Sequence, residues 1–516
     1  RKQALQSQKR AISILKTNRR TYSAFYVVNA IHTTADLALM QQLAALAEVS
    51  QLQPNPDIQL DLPGQEPPSS LHFRNAIEWG LKKIGADQVW EMGHLGQGVV
   101  IGGQDTGYEW DHPSLKRQYR GWNGSEANHN FNWHDAIRKV SLLHGDSTRT
   151  AADNDCGLDV SFPCDDHNHG THTMGTMVGD DGQGNQIGVA PQAKWIGCRN
   201  MEQGYGSPAS YIECFEWFLA PTDLNGDSPD PALAPHVINN SWSCPSMEGC
   251  TPENWELMEQ VIANLKAAGI MVVVSAGNSG RSGCATVSAP AAMFAQSFSV
   301  GAMASNDTIA AFSSRGPVTV DGSGRMKPDI TAPGVGVRSS VRDSGYATFS
   351  GTSMAGPHVA GMVALIISAN PALAGEVELI ENIIRESAVP MTAEETCGEV
   401  SGMEVPNNTY GYGRIDAVTA VQKALLVSNE KENAGNQTVR VFPNPVSRRL
   451  HFSFEQWEGP AQLTIFNSLG QSVYHREWDL LPADVKPVDL TMLAEGIYFF
   501  HVLGDRREAS GQFVKK

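Results

Sequence analysis

Two runs of the chain constrain its fold more than any others. They are Val99-Val100-Ile101-Gly102-Gly103-Gln104-Asp105-Thr106-Gly107 and Met271-Val272-Val273-Val274-Ser275-Ala276-Gly277-Asn278. Each starts as an unbroken apolar stretch and ends in a turn that carries a polar side chain. A strand with one wet face alternates apolar and polar residues. A strand with none has to be covered on both faces, which is the condition of a parallel sheet flanked by helices. Val237-Ile238 is a third such run, and apolar segments of helical spacing accompany them, among them Val359, Ala360, Val363, Ala364, Ile366 and Ile367. The predicted fold class is therefore α/β, a doubly wound parallel sheet. Sites in such sheets form at the carboxyl ends of the strands, where Asp105 and Asn278 fall.

The segment Gly351-Thr352-Ser353-Met354-Ala355-Gly356-Pro357-His358 places a serine at the entry to a buried helix, among residues small enough for a substrate backbone to approach. Such an entry also serves plain packing, and a serine hydroxyl is a poor nucleophile without a base. Asn168-His169-Gly170-Thr171-His172 offers one, with His169 as the candidate and His167 and His172 as competitors. A His-x-x-His metal pair is disfavoured because no Glu or third ligand stands at zinc-site spacing. Asp105 can orient the base or simply form a turn. The Asn278 amide can donate to an oxyanion, with the Ser353 N–H as second donor, and can form a turn at the same time.

Taken together, the chain order Asp, His, Asn, Ser and the intact Asp-Thr-Gly, His-Gly-Thr-His, Ala-Gly-Asn and Gly-Thr-Ser-Met-Ala-x-Pro-His segments resemble the subtilisin-like serine proteases over residues 71–427. Asp223-Leu-Asn-Gly-Asp227 and Val237-Ile-Asn-Asn-Ser-Trp242 resemble the bacillopeptidase F type within that family. The resemblance implies attack by Ser353 on a peptide carbonyl, proton transfer through His169, orientation of His169 by Asp105, and an oxyanion site at Asn278. It implies an extended substrate beside Ser241, Trp242 and Ser243, with Ser275, Ala276 and Gly277 as the opposite wall of the first pocket. The family usually has glycine where Ser243 stands, which leaves the preference of that pocket open. No cofactor is implied for the chemistry. Asp223, Asn225 and Asp227 have oxygen-ligand spacing, so this loop is either a structural calcium site or a hydrogen-bonded Asx turn.

The 516 residues exceed one domain, and 41% hydrophobic content suffices for large cores. A formal charge of −17 argues against nucleic acid as a partner. No uninterrupted apolar run reaches spanning length, so no transmembrane segment is predicted. The chain opens on Arg1, which reads as a trimmed or partial start and makes a missing leader uninformative. Its 8 cysteines include no Cys-x-x-Cys pair and favour disulfides in an exported protein; Cys156/Cys164 and Cys244/Cys250 are spaced as local staples.

Residues 1–66 read as a small α+β unit. A helical start to Arg20 precedes a strand at Ala24–Ile31, a helix capped by Asp36, and a second strand within Val49–Leu62 that leads into the Pro63–Pro68 link. This resembles an inhibitory prosegment, N-terminally incomplete, that occupies the active cleft until it is cut within Pro63–Leu71; an accessory domain is the alternative. A polar linker, 428–438, leads to short alternating strands over 439–516, a β-sandwich. Val441-Phe-Pro-Asn-Pro445, Ile465-Phe-Asn-Ser-Leu-Gly470 and Leu493-Ala-Glu-Gly-Ile-Tyr498 resemble the C-terminal sorting domain of the type IX secretion system; a generic binding sandwich is the alternative. The whole reads as a secreted or cell-surface serine endopeptidase made as a zymogen and exported through the periplasm and outer membrane. Its partners are protein substrates, its own prosegment and the secretion machinery. The rival readings are a non-catalytic adhesin on a protease scaffold and a narrow-specificity processing protease.

Overall fold

A computed structural model of the chain describes residues 2–60, 76–146, 148–243, 250–435, 439–454, 459–467, 471–478, 486–504 and 508–516. The expected processing link Pro63–Leu71, Cys244 and the 468–470 part of a predicted turn lie outside these residues. The chain divides into two compact units, Arg1–Ala424 and Leu425–Lys516.

The first unit is built on a seven-stranded sheet. Its strands are β1 (Val100–Asp105), β2 (Trp133–Asp135), β3 (Lys194–Arg199), β4 (Val237–Asn240), β5 (Met271–Ser275), β6 (Phe298–Met303) and β7 (Ile330–Pro333). They lie in the order β7-β6-β5-β4-β1-β3-β2, all parallel. Four helices matter for the site: α1 (His169–Val178), α2 (Pro208–Leu219), α3 (Pro252–Ala267) and α4 (Thr352–Ala369). Adjacent glycines of β1 show the two-sided cover directly. A Cβ on Gly102 would meet Phe218 of α2 at 2.9 Å, and one on Gly103 would meet Met174 of α1 at 2.9 Å. Successive strand residues point to opposite faces, so the doubly wound α/β prediction holds. The order reverses between β1 and β4, and the crevice at their carboxyl ends is the site of this sheet class.

Helix α4 is long and apolar enough to match a membrane span by length and composition, which the search for uninterrupted runs did not bring out. Its Gly, Pro and His residues interrupt the run, and 89% of that window is buried inside the protein. It is the core helix beside β4, β5, β6 and β7.

Residues 2–60 differ in detail from expectation. The single strand expected at Ala24–Ile31 is an antiparallel hairpin, Tyr22–Phe25 with Ala30–Thr33. Asn29 takes a left-handed φ of 51° in its turn, a conformation asparagine tolerates. Asp36 does cap the helix Leu37–Ala44, accepting the Leu39 N–H at 3.0 Å. The second strand shortens to Ile58–Gln59, which pairs antiparallel with Tyr205–Gly206. The turn after Phe25 docks on α2: Glu216 Oε2 accepts the Val27 N–H at 2.8 Å and the Tyr26 N–H as well.

Three disulfides join described residues, Cys156–Cys164, Cys198–Cys214 and Cys284–Cys397. The first is the staple that the spacing suggested. Cys250 is also disulfide-bonded. Helix Ala417–Gly435 runs through most of the expected 428–438 linker, because Ser428–Ala434 contains helix-tolerant Glu, Lys and Ala with no proline.

The second unit contains two antiparallel sheets. One holds Val439–Phe442, Arg449–Phe454 and Lys486–Asp489; the other holds Ser472–Trp478, Ala461–Asn467, Gly496–Gly504 and Glu508–Lys515. Leu450, Phe452 and Val488 of the first bury against Leu463, Ile465, Val502 and Phe513 of the second. This is the predicted β-sandwich.

Candidate active site

Asp105 ends β1 and is 1% exposed. Its Oδ1 accepts the Thr106 N–H at 2.7 Å and lies 2.6 Å from Nδ1 of His169, the first residue of α1. Thr173 Oγ1 donates to Oδ2 at 3.3 Å. A carboxylate facing Nδ1 selects the tautomer with its proton there, so Nε2 is the basic end of the ring. That Nε2 is buried and has no hydrogen-bond partner among the described residues.

This approach of α1 to β1 depends on glycine. A Cβ on Gly170 would overlap the Gly107 carbonyl oxygen and lie 3.1 Å from Asp105 Cβ. A second carboxylate, which the sequence did not single out, clamps the same junction. Asp165 Oδ1 accepts from Thr106 Oγ1 (2.8 Å) and from the N–H groups of His167 (2.9 Å) and Asn168 (3.1 Å). Its Oδ2 accepts from the N–H and hydroxyl of Thr171 at 2.9 and 2.6 Å. Asp165 stands three residues before Asn168, the N-cap of α1, so it has no helix-capping spacing in the sequence.

The competing histidines separate on environment. His172 Nε2 donates to the carbonyls of Val337 (3.0 Å) and Ala347 (3.2 Å), and its ring stacks on Phe349 at 4.3 Å. Burial pushes its pKa down to about 3, so it stays neutral as a core residue. His167 is lowered too, first by burial and then by the neighbouring His169. Among the described residues, the one cluster that could surround an ion is Cys284, Glu395 and Cys397, whose two cysteines form a disulfide. His169 and His172 join no such group.

Ser353 is the second residue of α4 and is 3% exposed. Its hydroxyl donates to the Ser241 carbonyl at 3.2 Å, and Ser241 Oγ donates back to the Ser353 carbonyl at 3.0 Å. This reciprocal pair ties the end of β4 to the start of α4. Ser353, Asn278, Ser241, Trp242, Ser243, Ser275, Gly277, Thr352 and Leu60 line one narrow cleft. Ala276, between Ser275 and Gly277, is buried. The Trp242 ring belongs to the core rather than to the cleft: it stacks on Tyr211 at 3.8 Å, so the backbone of this residue is what a substrate can meet. Thr352, also not singled out by sequence, fixes Asn278. Its N–H and its hydroxyl both donate to Asn278 Oδ1 at 3.0 Å. A backbone N–H can only donate, so the oxygen end of the amide faces Thr352 and the NH₂ end is turned away.

The Asp223–Asp227 loop contains an Asx turn. Asp223 Oδ1 accepts the N–H groups of Asn225 and Asp227, both at 2.9 Å.

Comparison with known proteins accords with this geometry. Residues 440–516 match a secretion system C-terminal sorting domain. Bacillopeptidase F of Bacillus subtilis (strain 168) is 36% identical over 426 residues, which cover 80% of this chain and 27% of that protein. The chain thus spans about a quarter of that relative's length. Subtilisin DY of Bacillus licheniformis is 31% identical over 298 residues, 58% of this chain and 86% of that protein. Subtilisin Savinase of Lederbergia lenta is 28% identical over 348 residues, 67% and 99% respectively. Residues 96–413, more than half of the sequence and the part that holds Asp105, His169, Asn278 and Ser353, match the subtilase family, and the chain belongs to that family of serine proteases.

Proposed function

We propose that this chain is an exported serine endopeptidase made as a zymogen, with Ser353 as nucleophile. The observation that carries the reading is the buried Asp105–His169 pair at 2.6 Å, whose Nε2 end has no partner among the described residues, on a helix that packs against the helix bearing Ser353. In the reaction the Ser353 hydroxyl leaves the Ser241 carbonyl, gives its proton to His169 Nε2, and forms a bond to the peptide carbonyl carbon. The Asn278 NH₂ and the Ser353 N–H hold the oxyanion. Collapse breaks the C–N bond, and His169 returns the proton to the leaving amine. Water then repeats the sequence to release the acid. Asp105 holds the tautomer and stabilises the imidazolium throughout.

Substrate lies as an added strand between Gly204–Gly206 and Ser241–Ser243. Residues 1–66 act as the inhibitory prosegment. The Ile58–Gln59 pairing with Tyr205–Gly206, and Leu60 in the same cleft as Ser353, support this reading. Subtilases need no cofactor for catalysis and commonly bind calcium. For this chain a calcium ion at Asp223, Asn225 and Asp227 would be structural. The sorting-domain match indicates export to the cell surface or medium; type IX machinery is the partner we propose for residues 439–516.

The deciding experiment is casein hydrolysis by the processed protein and by its Ser353→Ala variant. Loss of hydrolysis in the variant is expected. Unchanged hydrolysis would reject the mechanism, and an inactive, correctly processed wild type would favour the adhesin.

A further inference from the structure

Residues 57–60 lie on the enzyme in the manner of a bound peptide, and one of their contacts falls on a part of the chain the mechanism does not use. Leu60 donates its N–H to the Gly204 carbonyl at 2.7 Å, and Ile58 faces Gly206 in antiparallel register. The Ile58 side chain is 1% exposed, in one cluster with Met201, Tyr211 and Phe215. The residue before it, Asp57, has a carboxylate taken up by three donors. Lys139 Nζ lies 2.8 Å from Oδ1; Ser141 Oγ and the Leu142 N–H lie 3.0 and 3.2 Å from Oδ2. The Asp57 side chain retains 11% exposure, against 58% for Lys139.

The Ser141 donor is held from the enzyme side as well as by Asp57. The Ser141 N–H donates to Glu202 Oε2 at 3.1 Å, and His144 Nε2 lies 2.7 Å from the same oxygen. Glu202 is 1% exposed on a short strand, Met201–Glu202, that pairs with Tyr205–Gly206. The hairpin whose Tyr205–Gly206 edge meets the peptide therefore also fixes Ser141, through Glu202 on its other strand. Glu202 is a positioning residue here.

We propose that Lys139, Ser141 and the Leu142 N–H form a carboxylate subsite for substrates. The enzyme then selects acidic segments in which Asp or Glu directly precedes the aliphatic residue that fills the Ile58 position. This rests on the serine endopeptidase reading. A chain departing from the subsite after processing leaves three donors, one of them cationic, beside a substrate edge, and a charge-assisted contact of this kind discriminates strongly against a neutral residue.

The test uses the self-processed enzyme and quenched peptides with the sequence of residues 53–71, varied only at position 57 as Asp, Asn, Ala or Lys. The cut is mapped by mass spectrometry. The Asp peptide is expected to exceed the Ala peptide in kcat/KM by about tenfold, a ratio that shrinks at high salt. In Lys139→Ala/Ser141→Ala the ratio is expected to fall below about twofold, and in Lys139→Glu the Lys peptide becomes the better substrate. Equal kcat/KM for the Asp, Asn and Ala peptides would overturn the proposal, as would an unchanged Asp preference in Lys139→Glu. Cleavage that ignores position 57 leaves the endopeptidase reading standing. Absence of cleavage of any peptide overturns that reading and this one with it.

Discussion

Replacing Gly170 with alanine changes no catalytic group, yet the structure implies a large loss of activity. The new Cβ would overlap the Gly107 carbonyl oxygen and sit 3.1 Å from Asp105 Cβ. Gly107 cannot yield. Its φ is +111°, and a Cβ on it would itself overlap the Cys164 carbonyl, in a segment stapled by Cys156–Cys164. The start of α1 must therefore withdraw, by on the order of 1 Å to restore ordinary van der Waals contact. His169 is the first residue of α1, and its Nδ1 is 2.6 Å from Asp105 Oδ1. That displacement takes the pair to the edge of hydrogen-bonding range and leaves the tautomer unspecified. A misplacement of this size costs about 10²-fold, and loss of the orienting acid about 10⁴-fold. We expect kcat to fall by about 10³-fold, which corresponds to roughly 4 kcal/mol of barrier. Overpacking costs folding stability by about 1–3 kcal/mol. KM should hold, because the Gly204–Gly206 and Ser241–Ser243 edges are untouched. The assay is steady-state peptide hydrolysis by protein whose prosegment was removed in trans, with a melting curve to show that it is folded. A folded variant with kcat within threefold of wild type would refute the claim that this glycine sets the Asp105–His169 geometry.

Three further outcomes follow from the same contacts. Asn278→Ala is expected to lower kcat by about 10²–10³-fold with little change in KM, since in the proposed mechanism the amide acts on the oxyanion rather than on bound substrate; an equal loss in KM, read from the same kinetics, would count against that role. Glu216→Ala removes the acceptor of the Tyr26 and Val27 N–H groups and should weaken inhibition in trans by a peptide of residues 1–62 about tenfold or more, while an unchanged inhibition constant would mean that the hairpin turn contributes nothing to docking. His172 has a folded pKa near 3 against an unfolded 6.5. Between those values the unfolded state binds the extra proton, so its contribution is full above pH 6.5 and is lost as pH falls toward 3, by at most about 1.4 kcal/mol per pH unit. Urea unfolding at pH 7 and 5 should show a shallower acid loss in His172→Gln, and identical slopes would show that this ring does not titrate on unfolding.

What could be read in the sequence was what a local pattern can carry. The apolar runs ending at Asp105 and Asn278 specify two-sided burial and so a parallel sheet. Gly-Thr-Ser-Met-Ala-Gly specifies a small-residue helix entry. That His169 rather than His172 faces Asp105 has a physical reason elsewhere in the chain: Val337, Ala347 and Phe349 occupy His172, and only the fold brings them there. Thr352 and Asp165 were passed over because a threonine before a serine, or an aspartate in a polar loop, has no spacing that marks it. Their roles come from partners 74 residues away in Asn278 and 59 away in Thr106. The hairpin at Tyr22–Thr33 was misread as one strand because its turn is set by Glu216 and by a left-handed Asn29, not by a Gly or Pro. The same limit applies to Trp242, whose neighbours in sequence are cleft residues while its ring is a core side chain.

For the zymogen proposed above, two sets of contacts compare as brakes on Ser353. One candidate is the hydroxyl's own bond to the Ser241 carbonyl, 3.2 Å long. A neutral hydrogen bond of that kind is worth about 1 kcal/mol net, which would slow a reaction by less than tenfold. The other is the strand at Ile58–Gln59, which occupies the Tyr205–Gly206 edge that a substrate would need. Burial of Ile58 alone is worth about 1.5–3 kcal/mol, and Phe25 and Val27 bury against α2 and α3 in the same core. Those contacts sit on one covalently continuous segment, so their effective concentration is high until a bond is cut. Severing the chain after Leu60 lengthens nothing at Ser353, yet it removes that tether and lets substrate compete for the edge. In the proposed zymogen, control therefore belongs to the occupancy of the edge and not to the rotamer of the nucleophile. A cut chain from which residues 1–60 have not dissociated should remain inhibited, with activity appearing at the rate of peptide release, and stopped-flow hydrolysis that tracks cleavage instead of release would contradict this.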